Sequence, residues 1–373
     1  MNNRTTKQAV ACTKTATLRE KLTDGITMAK RLLAAVALSV AFFGSAYAQQ
    51  QVAVLQRGDS VLGVYYGVNS FIDAMNASAN GDIITLSGGT FNSPTHDSPL
   101  NKAITIRGAG AVEDTARGII PTVFSAEMFC SNIAGNNDTH LIVEGVLFNG
   151  VLRRMNDDDT LTYPEFIRCI FMEETYSSNG FVGTRKSNGT FVNCIFKERV
   201  STDNGYNGGN FVNCVLWNGA RSNSTINLAN CVVRVTENNN NNLVASSTIF
   251  FRNNSSSNYT LNAGSIQNCL VIGLSLSNIY NSTNTVLPLD SLSAVFATFT
   301  NYSNGIDLNT SYALTSRAAA NFLGIDGTQV GIYGGAMPFS FVPTYNVIRR
   351  CTVAPRSTAD GKLSVDIELE TEQ

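Results

Sequence analysis

Charge is scarce in this chain of 373 residues. Its 26 Lys and Arg nearly balance 28 Asp and Glu, for a formal net charge of -2, so neither a basic footprint for nucleic acid nor a polybasic patch for a membrane surface is present. Tryptophan occurs once, as Trp217, and histidine twice, as His96 and His140. With no CxxC pair beside those histidines, a zinc site is poorly provided for. Past residue 48 no apolar run is long enough to cross a bilayer as a helix.

Before residue 48 the chain is different. From Met28 it reads "MAKRLLAAVALSVAFFGSAYAQQ", with Lys30 and Arg31 as a positive start, an apolar stretch from Leu32 to Phe43, and Ala46-Tyr47-Ala48 as a small-residue cleavage pattern. A secretory signal peptide cut after Ala48 is expected, and with it an exported protein, extracellular, cell-surface or periplasmic. The alternative, a retained anchor, asks for ~20 apolar residues where this run has about a dozen. No cysteine follows the cut, which disfavours a lipoprotein anchor. Residues 1–27 look like no part of a signal sequence, so the start is expected at Met28, and 1–48 are set aside from the fold.

What remains is rich in Asn, Ser, Thr and Gly, yet 43% of the chain is hydrophobic, in short β-branched and aromatic runs between polar clusters. Many short strands joined by turns are predicted. The runs repeat. "LIVEGVLF" around Glu144, "EFIRCIF" around Arg168, "FVNCIF" at Asn193, "FVNCVL" at Asn213, "LANCVV" at Asn230, "ASSTIF" at Ser247 and "IQNCLV" at Asn268 follow one another at steps of 24, 25, 20, 17, 17 and 21 residues. A period near twenty with elastic insertions is the mark of a solenoid.

Two columns of this alignment are apolar throughout. Two residues before the central position stand Ile142, Phe166, Phe191, Phe211, Leu228, Ala245 and Ile266; three after it stand Leu147, Phe171, Phe196, Leu216, Val233, Phe250 and Val271. If each unit is strand, bend and strand, both columns face inward and the coils stack in parallel about 4.8 Å apart. Asn tolerates the left-handed backbone of such a bend, and Asn193, Asn213, Asn230 and Asn268 are expected to hydrogen-bond to one another as a ladder, begun by a Glu144–Arg168 ion pair. Cys169, Cys194, Cys214, Cys231 and Cys269 follow the bend directly. They are expected to form an interior column of free thiols, with disulfides between neighbours as the alternative.

At the front, "SFIDAMNASANGDIITLSGGTF" places Phe71, Ile72, Ala74 and Met75 on a short amphipathic helix before a strand at Ile83 to Leu86, and "NKAITIRGAG" repeats that strand. A helix here would plug the first coil. These residues resemble the start of right-handed parallel β-helix proteins of the pectate-lyase-like superfamily, and the resemblance runs from about Val52 to Val286. It implies an all-β, right-handed parallel β-helix over 49–300, while leaving open lyases, glycosidases, phage tailspikes and adhesins. Residues 301–373 are expected to form a C-terminal cap or small β-unit, with a strand at Leu363, Val365, Ile367 and Leu369; the run "DGTQVGIYGG" followed by "PF" resembles tails of exported Bacteroidetes β-helix proteins.

For chemistry, the resemblance implies paired aspartates and a "GHG" histidine in glycosidases, and neither pattern is present. Asp157, Asp158 and Asp159 read as a solvated loop, or alternatively as a calcium site; no other cofactor is implied. Four residues after the bend stand Lys197, Trp217 and Arg234, with Glu173, Glu198 and Arg199 alongside. An indole between cations is a platform for an acidic sugar, and in a lyase Lys197 or Arg234 would be the base. The function expected is therefore glycan binding or adhesion, with a polysaccharide lyase or a structural component as alternatives.

One pattern concerns partners. Val143 and Val146, Ile167 and Ile170, Val192 and Ile195, Val212 and Val215, Ala229 and Val232 all stand at positions expected to face solvent. An outward apolar stripe of that length needs a cover unless it reflects β-propensity alone. The Gly-rich tail from Leu323 to Phe341 or a second copy of the chain would provide one.

Overall fold

The strands of the coils are two to four residues long, and from Glu165 onward each strand of one wall is followed by a single left-handed residue, so the chain turns before it can extend. The computed structural model describes residues 51–353 and 365–370 apart from 117, 137, 157–158, 160, 174–188, 203–207, 223–224, 237–242, 253–258, 262–263, 277–282, 299–310, 344 and 346. The turns stack as a parallel β-helix of about seven coils. One wall is an 11-stranded sheet and the next a 10-stranded sheet, each gaining a strand per coil.

The bends lie where the repeat puts them. Arg168, Asn193, Asn213, Asn230, Ser247 and Asn268 all have φ between 49 and 55°, a region open to Asn at little cost. From Glu165 onward the register agrees residue for residue, with Phe166, Phe191, Phe211, Leu228, Ala245 and Ile266 paired in sequence on the first sheet. Phe171, Phe196, Leu216, Val233, Phe250 and Val271 do the same on the second. Phe166, Phe191 and Phe211 stack at 5.3 and 4.8 Å between ring centroids, and Phe148, Phe171 and Phe196 at 5.1 and 4.8 Å. The rings thus repeat at the strand spacing along the core.

The coil before Glu165 departs from the expected register by one residue. Phe166 pairs with Val143 and Phe171 with Phe148, so Val143 and Phe148, not Ile142 and Leu147, point inward. The left-handed residue is Gly145 (φ 68°) and not Glu144, because glycine adopts that backbone with no Cβ to accommodate. Glu144 still meets Arg168, whose Nη1 donates to Glu144 Oε1 at 2.6 Å in a buried ion pair.

The N-terminal end is closed by β1 (Val52–Arg57), β2 (Ser60–Tyr66) and α1 (Ser70–Ala77), before β3 (Ile83–Leu86) opens the parallel stack. Phe71, Ala74 and Met75 of α1 are buried on the core, Phe71 edge-on to Phe124 at 4.9 Å. The carbonyls at the helix end are satisfied by Lys102, whose Nζ donates to Met75, Asn76 and Ser78. Asp82, buried after the helix, accepts from Arg57 Nε and Nη2 at 2.7 and 2.9 Å and from the Ala79 N–H.

Residues 49–373 form one compact unit, and within it the tail lies on the solenoid. Ile170, Ile195, Val215, Val232, Ile249 and Leu270, the outward column of the second sheet, are all buried, packed with Leu314, Ala318, Val330 and Ile332. The tail therefore covers the half of the expected apolar stripe that lies on the second sheet, while Ile167, Val212 and Ala229 on the first sheet stay half-buried outside it. Among the described residues no hydrogen bond joins the side-chain amides of the bend asparagines as the expected ladder would; Asn193, Asn213 and Asn268 reach the tail instead. Asn213 Nδ2 donates to Ile332 O and Gly334 O, both at 2.7 Å, and Asn193 Nδ2 reaches Pro338 O at 3.4 Å. Ser247 accepts the Ile325 N–H at its Oγ and the Gly331 N–H at its carbonyl. Asn268 Nδ2 meets Leu323 O at 3.5 Å, and at the far end the Tyr345 hydroxyl donates to Gly108 O. The tail thus runs back along the bend column, from the last coils to the first. Beyond it, Val347–Val353 and Val365–Glu370 form an antiparallel pair, which includes three of the four predicted alternating positions; Leu363 lies outside the described residues.

Candidate functional site

The row that looked like a sugar platform is closed. Trp217 is only 3% exposed, with Phe251 and Tyr312 at 6.4 and 6.5 Å. Tyr312 belongs to the tail, and by covering this wall the tail removes the indole from any ligand. Arg234 lies over the buried ring, its guanidinium carbon 4.8 Å from the centroid. Burial lowers the pKa of this guanidinium, opposed by Tyr259, Tyr312 and Glu198. The ring therefore seats the arginine from below. Lys197, Glu198 and Arg199 are half-buried and Glu173 is exposed; Glu198 Oε2 accepts from Asn218 Nδ2 at 2.9 Å. A stack of cations around an open aromatic face is not what these residues make.

The remaining predicted sites are quiet. Cys130, Cys169, Cys194, Cys214, Cys231 and Cys269 are buried free thiols. Each ladder Sγ lies 3.3 or 3.4 Å from a carbonyl two residues back, and Thr248 sends its hydroxyl to Ser246 O in the same way. Burial pushes the Cys169, Cys194 and Cys214 thiols well up, and Cys269 to about 11, so they are packing groups and not nucleophiles. Asp157 and Asp158 lie outside the described residues, while Asp159 is buried and accepts the Asn156 N–H, capping its own turn. Among the described residues no three His, Cys, Asp or Glu side chains gather as a metal would need.

An open surface is found on the other wall. The strands Asn210–Val212, Ile226–Ala229, Leu243–Ser246 and Ser265–Gln267 lie side by side in the first sheet. Their inward residues alternate with outward ones, so register builds two outward columns. One is Asn210, Asn227, Val244, Ser265; the other is Val212, Ala229, Ser246, Gln267. Between them runs a cleft of about 340 Å³ crossing these four coils, lined by amides, hydroxyls and small aliphatic groups with no charged side chain. Asn227 Nδ2 donates to Asn210 Oδ1 at 2.9 Å, so the amides are oriented before any ligand arrives. Val212 and Ala229 belong to the outward apolar stripe read from the sequence, whereas Asn210, Asn227, Val244, Ser246, Ser265 and Gln267 are not among the residues the repeat singles out. The signal was present in "NFVN", "INLAN" and "VASS", where the residues flanking each inward position are small or amidic.

A second depression of about 370 Å³ lies where Arg252, Tyr259 and Ser275 meet Leu287 and Leu289 at the end of the second sheet. Its lining is mixed and it spans fewer coils. No helix among the described residues is long and apolar enough to cross a membrane. Comparison with protein-family models, with curated proteins and with solved structures found no match.

Proposed function

We propose that this chain is an exported glycan-binding protein of the pectate-lyase-like β-helix class, which holds an uncharged polysaccharide along the four-coil cleft of its first sheet. The observation that carries the reading is the pair of outward columns at the repeat of the coils, offering amide and hydroxyl groups at each step. A coil spacing of about 4.8 Å is close to the length of one pyranose unit, so an extended chain lying along the axis meets equivalent groups as it advances. Amides both donate and accept, which suits sugar hydroxyls; Val212 and Val244 offer apolar contact to a ring face. The signal-like segment before residue 49 supports export.

The test is affinity electrophoresis of the mature protein in gels containing neutral or acidic polysaccharides, repeated with Asn227→Ala and Val244→Asp. A neutral polymer should retard the protein, and each substitution should weaken that retardation by tenfold or more while leaving thermal unfolding in place. Retardation by acidic polymers alone, or retardation indifferent to both substitutions, would rule out this cleft as the site.

A further inference from the structure

The open cleft can lengthen in one direction only. After Ser265–Gln267 the first sheet gains no further strand, and the backbone beside it is met by the Asn284 side chain, whose Oδ1 accepts the Cys269 N–H at 2.9 Å and whose Nδ2 donates to Ile266 O at 3.1 Å. Toward the N-terminal coils the sheet goes on. Asn210 pairs with Thr190 and Thr190 with Glu165, so the first outward column reads Glu165, Thr190, Asn210, Asn227, Val244, Ser265 over six coils. Thr190 and Glu165 are half-buried, whereas Val192, the next residue of the second column, is buried. Above Asn210 the track therefore continues along the first column alone.

The coil of Glu165 carries features that its own packing does not use. Tyr163 stands at the corner between the Leu161–Ile133 bridge and the strand Glu165–Ile167. Its φ is 50°, a left-handed backbone that bulky side chains normally avoid, and the residue is 50% exposed, so burial does not offset the strain. Glu165 is held from one side. His140 Nε2 lies 3.4 Å from Glu165 Oε2, and His140 Nδ1 is buried with no hydrogen-bond partner among the described residues. An unmet lone pair costs less than an unmet N–H, so the ring proton belongs on Nε2 and donates to Glu165. That leaves Glu165 Oε1 as an acceptor on a side chain 31% exposed. His140 and Tyr163 each stand two residues before the paired positions Ile142 and Glu165, so all three belong to one corner of two successive coils.

We propose that Tyr163 and Glu165, with His140 positioning the carboxylate, form a further sugar subsite at the N-terminal end of the cleft, lengthening the track from four coils to six. This rests on the glycan reading above. A pyranose carries CH groups on its faces and hydroxyls around its rim. The exposed tyrosine ring offers the face a flat apolar partner, and a carboxylate oxygen accepts from a rim hydroxyl in a charge-assisted bond. Thr190, on the coil between Glu165 and Asn210, contributes a hydroxyl to the intervening unit. The carboxylate also repels acidic sugars, which sharpens the preference for neutral chains.

Isothermal titration of the full mature chain with tetra- and hexasaccharides of β-1,4-linked glucose, mannose and xylose tests the subsite. A hexasaccharide from one of these series should bind about tenfold tighter than its tetrasaccharide. Tyr163→Asn, which suits the left-handed backbone, and Glu165→Ala should each remove that advantage and leave tetrasaccharide affinity unchanged, whereas Asn227→Ala should weaken both lengths. His140→Ala should reduce the advantage, and His140→Gln, whose amide can still donate to Glu165, should keep it. No effect of His140→Ala, or equal loss in both, overturns the positioning role. Equal affinity for the two lengths, or an advantage that Tyr163→Asn and Glu165→Ala leave intact, overturns the subsite while the cleft stands. Binding of none of these oligosaccharides overturns the glycan reading and the subsite together.

Discussion

A single bend residue carries two tasks here, and substitution separates them. Asn213 holds a left-handed backbone (φ 52°) and donates twice to the tail. Asn213→Gly keeps the backbone and loses the two bonds; Asn213→Leu loses both. Leucine should lower stability by about 1 to 3 kcal/mol, and glycine by less, measured by denaturant unfolding. Equal effects would mean that only the hydrogen bonds matter. Asp82 gives a pH signature at the same scale. The Arg57 hydrogen bond first, together with the Ala79 N–H, holds its pKa below the ordinary carboxylate value against the opposing effect of burial. A carboxyl depressed in the folded state contributes stability that is fully present above its unfolded pKa of about 4 and is lost as pH falls through the folded value. Thermal midpoints of the wild type should therefore drop toward those of Asp82→Asn as pH is lowered below about 4. The thiols make a third case. In a Cys351→Ser background of the mature chain, Cys130, Cys169, Cys194, Cys214, Cys231 and Cys269 should resist an aromatic disulfide reagent at pH 8 until denaturant is added, since burial keeps all six from the reagent and also raises the pKa of Cys130, Cys169, Cys194, Cys214 and Cys269. Rapid native titration would contradict the buried column.

Among the elements, the tail depends on its glycines. A Cβ on Gly334 would collide with the Gln329 carbonyl and press on the Asn230 amide, and one on Gly331 (φ 83°) would meet Ile249 Cδ1 at 2.7 Å. Neither neighbour can withdraw, because one is backbone and the other is core. Gly334→Ala should therefore loosen the tail without unwinding the coils, seen as earlier proteolysis after Asn321 with strand content by circular dichroism unchanged. The sequence shows the run of glycines plainly but not which of them touch the solenoid, since that contact joins residues more than eighty positions apart.

At the scale of the molecule, the stack has its own interior core, and a second apolar cluster lies between its second sheet and the tail. Removing everything after Thr300 would bare the column from Ile170 to Leu270, an apolar stripe along six coils. The truncated chain should bind a hydrophobic dye and aggregate where the full chain does not. A soluble, dye-negative truncation would show that exposed β-branched residues are tolerated here for their strand propensity alone.

The repeat determined most of this architecture unaided. Once Phe, Asn and Cys recur at fixed offsets, only parallel stacking buries both apolar columns, so pairing from Glu165 to Val271 is local information copied coil by coil. The register failed only in the coil before it, where Glu144 resembled a bend residue by position and Gly145 took the bend by conformational freedom. Three outcomes belonged to tertiary structure. Trp217 and Arg234 read as a surface pair until Tyr312 covered them. The asparagines read as a ladder until the tail brought carbonyls to Asn213, and at longer range to Asn193 and Asn268. The open cleft could be located only after the other wall was known to be closed. Periodicity specifies which face of a strand points inward, but what rests on the outer face is decided by chain that lies far away in sequence and shares no period with it.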